Sequence, residues 1–126
     1  MPYVVSKTRF AQHVEAALAS IPPEFATFLD HVPLEIRDRP TKKQLRDLGL
    51  TDHDLLLGLY VGPSLADRSV DHGVEMPNVI FLFQEDIEEV SETAEDLERE
   101  IRVTVLHEIG HHFGLDEDAL DKLGYG

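Results

Sequence analysis

The stretch His107-Glu108-Ile109-Gly110-His111-His112-Phe113-Gly114-Leu115-Asp116-Glu117 concentrates groups that bind metals and move protons. On an α-helix, residues four apart lie about 40° apart on one face and about 6 Å along the axis. His107 and His111 can therefore point imidazole nitrogens at one ion, at the roughly 2.0–2.1 Å that zinc prefers. Glu108 lies about 80° from their mean direction. That is too far round to ligate, but close enough to reach a water beside the ion, which is where a general base belongs. His112, about 120° away, cannot join the same ion from this helix. Helical spacing sorts the three histidines into two ligands and a bystander.

Two ligands leave a zinc site incomplete, since catalytic zinc usually has three protein ligands and an open position. Gly114 suits a helix end, because glycine adopts the left-handed conformation without steric cost. The chain can then double back and bring Glu117 to the ion, or Asp116 if the turn is shifted. The alternative is that Glu117 is an acidic first-turn residue of a following helix with Asp116 as its N-cap.

A long helix must carry these groups. Thr93 can N-cap it, Glu95, Asp96 and Glu98 suit its positive end, and Leu97, Ile101, Val105 and Ile109 form its core stripe. Residues 101–109 are so apolar that His107, Glu108 and His111 read as polar groups on the floor of a cleft. Burial there without partners is costly, and a bound cation relieves the cost.

Upstream, Ser6 is a candidate N-cap, with Val5 and Phe10 at staple spacing, for a helix whose stripe is Phe10, Val14, Leu18 and Ile21. Pro22-Pro23 ends it, and Pro23 can start a short helix carrying Phe25, Phe28 and Leu29. Val32, Leu34 and Ile36 alternate as in a half-buried strand. Asp38-Arg39-Pro40 is a loop, and Thr41-x-x-Gln44 is a capping box for a helix ending at Gly49. Leu55 to Val61 and Val79 to Phe83 are apolar runs of strand length, joined by a loop from Ser64 to Pro77. Glu85 to Val90 forms a short helical turn, and Asp118 to Leu123 a last amphipathic one. His13 and His31 are surface or boundary residues. His72, in the long loop, and Tyr125 are minor candidates for the site.

At 126 residues the chain fits one domain, 1–126, with 42% hydrophobic residues and no cysteine, hence no disulfide and no thiolate metal site. No apolar run approaches the length of a membrane span, and no charged segment followed by an apolar block opens the chain, so a cytoplasmic protein is expected. Net charge is −14, of which residues 84–126 carry −11. Such a surface repels phosphates and anionic lipid, so neither nucleic acid nor membrane is an expected partner. It is a solvated face that aids solubility, or a means of steering basic peptides.

The pattern His107-Glu108-x-x-His111-x-x-Gly114-x-x-Glu117 resembles the zincins. It closely resembles the bacterial zincin-like metallopeptidase family, short acidic proteins also called minimal zincins. Leu57-Gly58-Leu59-Tyr60, Pro77-Asn78-Val79-Ile80-Phe81-Leu82-Phe83 and Val103-Thr104-Val105-Leu106 share in the likeness. The resemblance implies an α+β fold, a small mixed or antiparallel sheet packed on helices, with the motif on the long helix. It implies an acidic third ligand at Glu117, where metzincins carry His before a methionine turn that this chain lacks. It also implies zinc-dependent hydrolysis of a peptide or protein substrate with Glu108 as general base. By analogy the substrate lies along an edge strand, Val79–Phe83 or Leu55–Val61. Two other classes remain open: a zinc-binding interaction module with little or no peptidase activity, and an acidic protein whose histidines are structural.

Overall fold

The structure is a computed structural model that describes residues 1–62 and 78–112. The expected loop with His72, the segment holding Gly114, Asp116 and Glu117, the helical turn expected over 118–123 and Tyr125 lie outside the described residues.

Helix α1 (Lys7–Ala19) begins where the Ser6 hydroxyl accepts the Arg9 amide at 3.1 Å, one of the orphan donors of its first turn. Its buried residues are Phe10, Val14 and Ala17, with Ile21 just beyond it, whereas Leu18 is only half-buried at the stripe's edge. Helix α2 (Pro23–Leu29) starts on a proline, whose missing N–H costs nothing at that position. Strand β1 (Leu34–Arg37) follows with alternating burial. Helix α3 (Lys42–Asp47) has the reciprocal Thr41–Gln44 capping box. It closes with Leu50 N donating to Leu45 O at 2.8 Å and Gly49 at φ +74°, the left-handed position that glycine takes without strain.

Strands β2 (Gly58–Val61) and β3 (Val79–Phe83) complete a mixed sheet of order β1-β3-β2. β1 is parallel and β2 antiparallel to β3. The expected strand from Leu55 is thus shortened by three residues. The reason is local: the Leu56 amide turns away to Oδ2 of Asp86 at 2.9 Å. Leu57 contributes only its carbonyl, which accepts from Phe83 N at 3.0 Å. Val79–Phe83, one of the two candidate edge strands, is not an edge. Among the described residues it is the central strand, with Ile80, Leu82 and Phe83 fully buried, and β1 and β2 are the outer ones.

The register puts Leu34, Ile80 and Tyr60 in one row and Ile36, Leu82 and Gly58 in the next, all on one face. That face meets helix α5 (Ala94–His112), which packs against α1, α2, β2, β3 and helix α4 (Gln84–Glu89). Thr93 caps α5 through its hydroxyl, which accepts Asp96 N at 3.0 Å. Leu97, Ile101, Val105 and Ile109 have no solvent exposure, and full burial of each is worth about 1.5–3 kcal/mol. The described residues therefore form an α+β arrangement, a three-stranded mixed sheet packed on helices. Among them, no helix is long and apolar enough to cross a membrane.

His13 sits at the α1–α5 boundary with its Nδ1 2.6 Å from a Glu98 oxygen. Asp86, which the polar pattern of α4 did not mark as interior, is 1% exposed. Its two oxygens accept from Arg39 Nε and Leu56 N, each at 2.9 Å, and so tie α4 to two loops. Asp86→Ala is expected to cost about 3 kcal/mol, because both donors lose their acceptor while Arg39 regains some water. Urea denaturation checks this; a loss near zero would mean that the three segments hold together without it.

Candidate active site

Helix α5 advances about 6 Å over four residues and a strand about 6.6 Å over two. β2 and α5 therefore keep pace with each other: Gly58 lies over Thr104, and Tyr60 lies over Glu108 one helical turn later. The bond between Phe83 N and Leu57 O sets the parity of the strand. Leu57, Leu59 and Val61 turn their backbone groups to β3, while Gly58 and Tyr60 turn theirs to the side away from β3. There the Tyr60 amide donates to Oε2 of Glu108 at 3.3 Å.

The Glu108 side chain is 14% exposed, under the edge of the sheet. Burial pushes its carboxyl above the usual carboxylate range; the charge of His111, the Tyr60 amide and the charge of His107 pull the other way. The same oxygen lies 3.5 Å from His111 Nδ1. A partly buried carboxylate with a raised proton affinity can accept a proton from water and return it, the work of a general base.

His107 and His111 stand one turn apart on α5 with ring centres 5.5 Å apart and planes at 89°. His107 is half-buried. His111 is not on a buried floor as the sequence implied; its side chain is 49% exposed. The helix thus brings together His107, Glu108 and His111. Glu117 and its substitute Asp116 lie outside the described residues. Among the described residues, no group of three metal-binding side chains is assembled.

Gly58 and Tyr60 were not singled out as site residues from sequence. The signal was there: a glycine inside an apolar strand marks a place where another part of the chain comes close.

Residues 29–126 match the family of zincin-like metallopeptidases, and the chain belongs to that family. No curated protein matches it.

Proposed function

We propose that this protein is a zinc-dependent metallopeptidase in which His107, His111 and Glu117 hold the ion and Glu108 is the general base. The observation that carries this reading is the pairing of two imidazoles at 5.5 Å with a partly buried carboxylate beside them on the same helix. Two imidazoles bonded to one tetrahedral ion at about 2.0–2.1 Å have ring centres about 5 Å apart, so the pair fits such an ion. The donor set of two neutral nitrogens and one carboxylate suits zinc, and a carboxylate third ligand is one of the combinations that catalytic zinc uses. When bound, zinc would supply Lewis acidity, polarising the scissile carbonyl and making water a better nucleophile.

The chain's own residues supply the rest. Glu108 takes a proton from the water whose oxygen attacks the carbonyl carbon. It delivers that proton to the amine nitrogen as the C–N bond breaks. An extended peptide would lie along β2, which among the described residues pairs only with β3 and turns its other side to Glu108. Zinc is also consistent with the retained Glu108, for which a closed structural site has no use.

Zinc content after loading and desalting tests the ligand set. One ion per chain is expected for the wild type and much less for Glu117→Ala. If Asp116→Ala loses the ion while Glu117→Ala keeps it, the shifted turn is correct and Glu117 is not the ligand.

A further inference from the structure

We infer that Gly58 is a positioning residue: its missing side chain lets β2 settle onto α5 so that the Tyr60 amide holds the Glu108 carboxylate in place. The inference rests on Glu108 as the base in the proposed peptidase. A Cβ on Gly58 would run into the Thr104 methyl and stand 3.1 Å from the Phe81 carbonyl oxygen. Thr104 is buried and sits on the helix that carries Glu108, so its methyl has little room to retreat. Phe81 belongs to the central strand, so its carbonyl cannot yield without disturbing the sheet. What gives way is the edge strand.

In its row, Gly58 stands beside Leu82 and Ile36, both of which point side chains at the helices. It is the one position of the row with no side chain, and α5 occupies the space. Tyr60 follows two residues on, with no intervening turn to absorb a shift. The amide–carboxylate distance is already 3.3 Å, near the long end for such a bond. Lifting β2 by a few tenths of an ångström therefore breaks it. Glu108 then loses a partner that fixes its orientation, while His107 and His111 stay where α5 holds them. Gly58→Ala should accordingly separate catalysis from metal binding.

The test uses amide hydrogen exchange and peptide hydrolysis on the zinc-loaded protein. The Tyr60 amide is expected to exchange at least tenfold faster in Gly58→Ala and in Glu108→Ala than in wild type. The Ile80 amide, which donates to Pro33 O at 2.9 Å, serves as the control that global destabilisation would also move. Gly58→Ala should lower kcat at least tenfold with KM and zinc content little changed. Thr104→Ser should match wild type, and Gly58→Ala/Thr104→Ser should recover most of the lost kcat. An amide-to-ester replacement at Tyr60, which removes the donor and keeps the side chain, should reproduce the kcat loss and covers the case in which Gly58→Ala fails to fold. Unchanged Tyr60 exchange in Gly58→Ala, or an ester variant with wild-type kcat, overturns the inference. Wild-type protein with a protected Tyr60 amide but no chelator-sensitive hydrolysis instead overturns the proposed peptidase and leaves the contact standing.

Discussion

Replacing Glu108 by Gln is expected to lower peptide hydrolysis by at least about 10²-fold, the lower end of what general base catalysis contributes, while the protein keeps its fold and its zinc. The amide has nearly the shape of the carboxylate, and its oxygen can still accept the Tyr60 N–H that Glu108 accepts at 3.3 Å. Burial penalises the ionised carboxylate, so a neutral side chain at this site removes a desolvation cost rather than adding one. Glu108 contacts the Tyr60 amide and His111, and helical spacing sets it about 80° from the mean direction of the two imidazoles, so the metal should stay. Steady-state kinetics with zinc analysis on the same preparation decides the matter. Wild-type rates in a zinc-replete Glu108→Gln protein would remove Glu108 from the chemistry. An interaction module would instead show no chelator-sensitive hydrolysis in either protein.

His107→Ala is expected to produce the other signature, loss of zinc and of activity together. Alanine is the best helix former, and His107 is only half-buried, so α5 should persist. The site would retain His111 and a carboxylate, two ligands where catalytic zinc normally has three. Loss of a residue that merely orients a ligand costs about 10–100-fold in metal affinity, and loss of the ligand itself should exceed that. Competition with a chromogenic chelator measures it. Stoichiometric, tightly held zinc in His107→Ala would place the ion elsewhere in the chain.

Much of the scaffold was legible because it rests on local rules. Ser6, Thr41 and Thr93 each cap the helix that their position announced, and Gly49 ends α3. Leu97, Ile101, Val105 and Ile109 needed only the helical period to be placed in the core. What stayed hidden depends on pairing between distant segments. The order β1-β3-β2 puts Val79–Phe83 in the centre, a fact that two similar apolar runs cannot disclose. Leu55 and Leu56 look like strand, but Asp86 claims the Leu56 amide from thirty residues away. The same holds at the site. The spacing of His107, Glu108 and His111 follows from one helix, whereas the contact of Tyr60 with Glu108 needs β2 to cross α5 at one height.

The most direct measurement is digestion of an unbiased peptide library by zinc-loaded protein, by the same protein after chelation, and by that protein after zinc is restored. Cleavage is expected to stop on chelation and to return with zinc. No cleavage by the zinc-loaded protein, or cleavage indifferent to the chelator, would contradict the proposed function.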